Sequence, residues 1–231
     1  PGTKLPSLGH TTYKHLRDAY EVASQGLVDS GADALLIETT QDLLQAKAAV
    51  NGSRAAMAKV DRDVILIAQV TVEQTGTMLL GSEIGAALNA LAPLQIDLIG
   101  LNCATGPTEM SEHLRYLSKN AKISISVMPN AGLPVLGANG ASYPLGPSEL
   151  AVALEGFVDD YGISLVGGCC GTTPDHIKAI ADLAKNYSTY DDDLEDKKYI
   201  DWCNEWLEGM YNNLKPGGTL LVLNIPKWTI Y

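Results

Sequence analysis

The chain has 231 residues, 46% of them hydrophobic, and a formal charge of −11 at pH 7. That suffices for one packed domain, but falls short of the ~250 residues a complete α/β barrel typically takes. The acidic balance argues against a nucleic-acid surface, which needs a basic stripe, and no uncharged apolar run reaches the ~18 residues of a membrane span. The opening PGTKLPSLGH lacks the basic and apolar regions of a signal peptide. Four cysteines, Cys103, Cys169, Cys170 and Cys203, are too few for a small disulfide scaffold. They point to a cytoplasmic protein that keeps thiols for metal binding or catalysis.

From 11 to 186 the pattern alternates between helix and strand. TTYKHLRDAYEVASQGLVDSG reads as a helix with Leu16, Ala19, Tyr20, Ala23 and Leu27 on one face. Gly31 follows it, where a left-handed residue is needed. DALLIE (33–38) is a short apolar run, read as a strand buried on both faces. QDLLQAKAAVNGSRAAMA is a helix and DVILIAQVTV (63–72) a strand. Gly76 and Gly81 shape the loop that follows. SEIGAALNAL is a helix, IDLIGLNC (96–103) a strand, PTEMSEHLRYLSKN a helix and KISISVMPN (122–130) a strand. PSELAVALEGFVDDYG is a helix with Pro147 near its start. ISLVGGCC (163–170) is the last strand of the series, and TPDHIKAIADLAKN is a helix capped by Thr172 or Thr173.

Repeated strand–helix units imply an α/β fold with a parallel sheet. Five strands fit either an open doubly wound sheet or part of a barrel, and pattern alone leaves both open. Glu38, Thr71, Cys103, Asn130 and Cys169 each fall at or just past the C-terminal end of a strand, the catalytic face of either architecture. After about residue 187 the composition turns acidic and then aromatic, with Trp202, Trp206 and Trp228. YIDWCNEWLEGMYNNL reads as an amphipathic helix, Lys-Pro-Gly-Gly as a turn and TLLVLNI as a strand. The expected division is therefore 1–186 and 187–231.

Cys103 ends one strand, and Cys169 and Cys170 end another among glycines. In a closed barrel those ends would meet on one rim. Three thiolates would then supply zinc with three ligands and leave a fourth position open, as a catalytic site requires. The competing reading is a set of inert buried thiols. A structural zinc site would need two close-spaced ligand pairs, which are absent. Cys203 reads as an ordinary thiol.

LVGGCCGTTPDHI resembles the signature of the homocysteine S-methyltransferase family, and IGLNCATGP its first zinc-ligand segment. MPNAGLP lies between them in the right order. With LLIET and TGTMLLG upstream, the resemblance covers about residues 1–185, and the cobalamin-dependent methionine synthases are the members it resembles most. The resemblance implies a TIM-type (β/α) barrel, of which this chain carries the last five of eight strands. It implies that Cys103, Cys169 and Cys170 hold zinc, which activates the homocysteine thiolate. Glu38 would hold the substrate ammonium; its competing reading is a cap for the next helix. Asn130 would occupy the open zinc position when substrate is absent; its competing reading is a turn asparagine. His10, His15, His113 and His176 match no ligand position, and His176 is expected at the surface.

The implied methyl donor is methylcobalamin on a separate domain, with cobalamin- and folate-binding domains as partners outside this chain. S-methylmethionine or betaine is the alternative donor, and a zinc-binding remnant without turnover is the non-catalytic alternative. The tail from 188 to 231 resembles a fragment of a DNA methyltransferase catalytic domain, but lacks its glycine-rich cofactor loop, so no methylation of DNA is assigned to it.

Overall fold

The computed structural model describes residues 4–137 and 140–187, with side chains through Leu183. Parallel strands cannot be joined by a tight turn, so each apolar run is followed by a helix that returns the chain to the starting edge. The elements are α1 (Tyr13–Asp29), β1 (Ala34–Thr40), α2 (Leu43–Met57), β2 (Ile65–Val70), α3 (Ile84–Leu91), β3 (Leu98–Asn102), α4 (Pro107–Asn120) and β4 (Ser124–Met128). A hairpin of β5 (Val135–Gly137) and β6 (Gly140–Ser142) comes next, then α5 (Pro147–Tyr161), β7 (Leu165–Val166) and α6 (Pro174–Tyr187). The main sheet runs β1-β2-β3-β4-β7, every neighbouring pair parallel. The protein is thus an α/β fold with a five-stranded parallel sheet whose successive strands lie side by side.

Strand alternation splits the sheet residues between two faces. Leu66, Ala68, Val70, Ile99, Leu101, Ile125 and Val127 share one core with the helix residues Ala49, Val50, Leu91, Leu114 and Leu154. The other face carries a register row of Gln69, Gly100, Ser126 and Leu165. Gln69 Nε2 donates to Ser126 Oγ at 3.1 Å, across the strand that holds Gly100. Burial on both faces holds for β2 from Leu66 onward, but not for β1. There Leu35 and Ile37 are buried while Glu38 and Thr39 are exposed. β1 ends the strand order, so one side lacks the side chains of a further described strand.

The buried row of α1 differs from the expected one. Leu16, Ser24 and Val28 are buried with Tyr20 between them, whereas Ala19, Ala23 and Leu27 are exposed. The cause is the close approach of α2. A Cβ on Gly52 would lie 2.4 Å from the Arg17 carbonyl oxygen and 2.8 Å from the Glu21 nitrogen. The Ser24 and Ser53 hydroxyls meet at 2.9 Å in the contact. Apolar periodicity does not anticipate a helix seam built on glycine and paired hydroxyls.

The last strand is shorter than the expected 163–170. Its pairing nonetheless continues, with Ser164 N donating to Ile125 O, Gly167 N to Val127 O and Cys169 N to Pro129 O at 2.8–3.0 Å. The cysteine segment therefore stays fastened alongside β4. Thr173, not Thr172, precedes α6, and its hydroxyl lies 2.8 Å from His176 Nδ1. The hairpin of β5 and β6 is an element the sequence pattern does not announce. Gly76 and Gly81 both adopt positive φ in the loop after β2, as expected of turn glycines.

The sheet and its helices, α6 as far as Leu183, belong to one compact unit. The helix, turn and strand expected after residue 187, with the three tryptophans and Cys203, lie outside the described residues. Among the described residues, no helix is long and apolar enough to cross a membrane.

Two glycine substitutions test the packing with opposite signs. Gly52→Ala forces a methyl group into the α1 backbone and should cost about 1–3 kcal/mol of stability. Gly26→Ala, in α1 with nothing within 4 Å of its Cβ position, should add about 0.5–1 kcal/mol. Urea unfolding followed by circular dichroism reads both. A Gly52→Ala variant as stable as the parent would contradict the close helix contact.

Candidate metal centre

β3 delivers Cys103 to the sheet's C-terminal edge, and the segment after β7 delivers Cys169 and Cys170 to the same edge. The chain then turns abruptly. Cys103 and Ala104 adopt φ of 63° and 60°, a left-handed conformation that costs about 1–2 kcal/mol per residue without glycine. Cys103 N still donates to Met128 O at 3.1 Å, so the thiol is turned while its backbone stays in the ladder.

The three sulfurs lie within 4.8 Å of one another. Cys103 Sγ is 3.7 Å from Cys170 Sγ, and Cys169 Sγ is 4.0 Å from Cys170 Sγ. A tetrahedral ion with Zn–S bonds of about 2.3 Å would set its sulfurs about 3.8 Å apart. The donor set therefore matches one zinc ion in both spacing and chemistry. All three cysteines are free thiols; Cys170 is exposed and the other two are half-buried. The competing reading of inert buried thiols does not suit so accessible a cluster.

Such crowding splits the acidities. Cys103 is held down to about 6, first by a hydrogen bond from the Cys169 thiol and further by the Ala104 backbone and Cys170. Cys169 is pushed well up, first by its hydrogen bond to Cys103, then by burial and the neighbouring sulfur charges. One thiolate stabilised by neighbouring thiol donors is the state the metal-free geometry favours.

Asn130 is buried, and its Oδ1 accepts from Cys170 N at 3.2 Å. Its own backbone nitrogen donates to Thr105 O at 3.1 Å, which ties together the loops that bear the cysteines. Glu38 lies two residues before the end of β1, and no described residue hydrogen-bonds its carboxylate. It is not the cap of α2. That role falls to Asp42, which accepts from Leu44 N at 2.8 Å and from Ser7 N and Oγ at 2.9 and 2.7 Å.

Three further residues belong to the picture. Asn102 is fully buried and bonds to Thr39 on β1 and toward Cys169. Tyr143 lies over Gly171, where a Cβ would come within 2.3 Å of its ring. Its phenol is pushed up by desolvation and then by its hydrogen bond with Cys170. Alternation along β3 places Asn102 on the face opposite Leu101, a signal available in the sequence; nothing local marks Tyr143. His176, expected at the surface, is only 6% exposed. Its Nδ1 accepts from Thr173 N at 3.1 Å, so the proton sits on Nε2, which donates to Leu145 O at 3.0 Å. It pins α6 to the loop before α5.

The homocysteine S-methyltransferase family model matches residues 1–184. The chain belongs to the homocysteine S-methyltransferase family. Among curated relatives, the methionine synthase of Mycobacterium leprae (strain TN) is 68% identical over 181 residues, covering 78% of this chain and 15% of that protein. The methionine synthase of Mycobacterium tuberculosis (strain ATCC 25618 / H37Rv) is 67% identical over 186 residues, covering 80% of this chain and 16% of that protein. The chain thus spans about one sixth of the length of these relatives.

Among solved structures, the apo form of the homocysteine methyltransferase MmuM from Escherichia coli has a TM-score of 0.58 at 22% identity, covering 75% of this chain and 57% of that one. Its metallated form has a TM-score of 0.56 at 22% identity, covering 72% of this chain and 52% of that one. At this identity the likeness concerns the fold. The tail from 188 to 231 lies beyond the family match.

In this family member, freed of metal, Cys103 should alkylate as a thiolate with a midpoint of about 6. Iodoacetamide labelling across pH, read peptide by peptide in the mass spectrometer, measures it. A midpoint at the ordinary free-cysteine value of about 8.5 would contradict the hydrogen-bonded cluster.

Proposed function

We propose that this chain is the homocysteine-activating part of a methionine synthase, with Cys103, Cys169 and Cys170 as its zinc ligands. The observation that carries the reading is the spacing of three accessible thiols, all within 4.8 Å, in a member of this family. When bound, zinc supplies Lewis acidity that lets a thiol substrate ionise near neutral pH. The chain's own residues do the rest. Three sulfur ligands would leave a fourth tetrahedral position for the substrate sulfur, and Cys170 is the exposed member of the set.

Glu38 has a carboxylate with no described partner, on the same sheet edge. It suits the homocysteine ammonium. Asn130 holds Cys170 through its backbone nitrogen, and its amide would take the open metal position when no substrate is present. The five-stranded sheet is read as part of the wall of a (β/α) barrel, with the catalytic rim at the strands' C-terminal ends. Residues after about 186 form a separate segment. The overall reaction is methyl transfer to the homocysteine sulfur, giving methionine.

Identity of 67–68% to two methionine synthases favours methylcobalamin, carried on a separate domain, over S-methylmethionine or betaine as donor. A cytoplasmic location suits a site that needs reduced thiols.

Folded protein should contain one zinc per chain, and Cys170→Ser should bind it at least about tenfold more weakly, while Cys203→Ser should leave it unchanged. Homocysteine should release a proton on binding, and methionine, whose thioether cannot ionise, should release none. Metal analysis and calorimetry in two buffers of different ionisation enthalpy read these outcomes. Zinc retained undiminished by Cys170→Ser would overturn the ligand set; homocysteine binding with no proton release would overturn the thiol-activating role.

A further inference from the structure

Asn102 is the last residue of β3 and is fully buried. Its side chain spans to two other strands. Oδ1 accepts from Thr39 N at 2.7 Å, and Nδ2 donates to Thr39 Oγ1 at 2.7 Å. Because a backbone N–H can only donate, the atom facing Thr39 N must be the amide oxygen, which fixes the orientation of the group. The second N–H of the same amide is therefore directed at Cys169 Sγ, 3.9 Å away. One side chain thus touches the ends of β1, β3 and the cysteine segment after β7.

What it grips on β1 is unusual backbone. Thr39 has φ of 55°, a left-handed conformation disfavoured for a β-branched residue. The strand register slips at this point: Ile37 pairs with Ala68 and Thr40 with Val70, so β1 carries one residue more than β2 between those pairs. Such a bulge re-aims side chains, and the residues inside it are Glu38 and Thr39. Asn102 supplies two hydrogen bonds to this bulge from a rigid, buried strand end.

We propose that Asn102 is a positioning residue that sets the Glu38 bulge and the Cys169 sulfur in a common frame, so that the ammonium-binding and sulfur-binding ends of the homocysteine site keep a fixed separation. This rests on the reading of the site given above. Asn102 need not touch substrate. It acts on one side through Thr39 and on the other through a hydrogen bond to a ligating sulfur, the kind of outer partner that orients a metal ligand. An apolar residue at this position would leave the Thr39 turn without its two side-chain bonds, and Cys169 without its amide donor.

Cobalt-loaded protein tests this, because sulfur-to-cobalt charge-transfer bands report the ligand set without turnover. Asn102→Ala and the nearly isosteric Asn102→Asp should still bind one cobalt per chain. Their bands should shift, because the N–H donor to Cys169 is gone. Homocysteine, titrated against the same bands, should bind about 10- to 100-fold more weakly. Thr39→Gly relieves the left-handed turn, and placed in the Asn102→Ala background it should recover part of that loss.

Homocysteine binding by Asn102→Ala and Asn102→Asp at the parent's affinity would overturn the proposal. So would a double variant no better than Asn102→Ala, since Asn102 would then not act through Thr39. If Asn102→Ala does not fold, judged by circular dichroism, Asn102→Asp and Thr39→Gly carry the comparison. Failure of the parent itself to bind cobalt or to respond to homocysteine would instead sink the underlying reading of the site, and this proposal with it.

Discussion

Three cysteine sulfurs brought within 4.8 Å of each other are the constraint around which this fold is arranged. Thiolates so close repel one another, so the cluster can exist fully ionised only with a cation among them. Without one, the protons redistribute: Cys103 becomes the acidic member and Cys169 the retained thiol. Bringing the sulfurs together takes a parallel sheet, because only parallel strands deliver successive C-terminal ends to a single edge. It also takes β4, which lies between the two cysteine segments and is bonded to both.

The supporting structure is rigid where the cluster needs it. Backbone bonds from Cys103 to Met128 and from Cys169 to Pro129 hold these two cysteines to β4 or its continuation. Asn130 fixes the backbone of Cys170, and Tyr143 covers Gly171 beside it. Left-handed residues collect at this edge, at Thr39, Cys103 and Ala104, none of them glycine. Strained backbone of this kind persists where surrounding contacts over-determine it, and it gathers at functional sites.

Much of this was legible in the sequence, for identifiable reasons. α4 occupies the residues its pattern predicts, because Pro107 marks the start and the Glu109 carboxylate accepts from the Gly106 backbone nitrogen. Strand positions followed from apolar runs bounded by glycine and polar residues. The cysteine cluster was readable because it combines an adjacent pair with a third thiol at another strand end. The failures have equally specific causes. α1 buries Ser24 rather than Ala23 because its seam with α2 is made by Gly52 and paired serines. The apolar run of β1 reads as buried on both faces, but β1 ends the strand order. The sequence pattern puts His176 at the surface, but it bonds backward to Thr173 and sideways to Leu145. Local pattern does not mark Asn102 and Tyr143, because their partners lie far away in sequence.

These three sulfurs should bind one ion together and leave a place for a fourth sulfur. X-ray absorption at the zinc edge of the loaded protein tests that most directly. The account predicts three sulfur neighbours at about 2.3 Å and one lighter atom, with the lighter atom replaced by a fourth sulfur when homocysteine is added. Fewer than three sulfurs, or a sulfur count that homocysteine leaves unchanged, would contradict it.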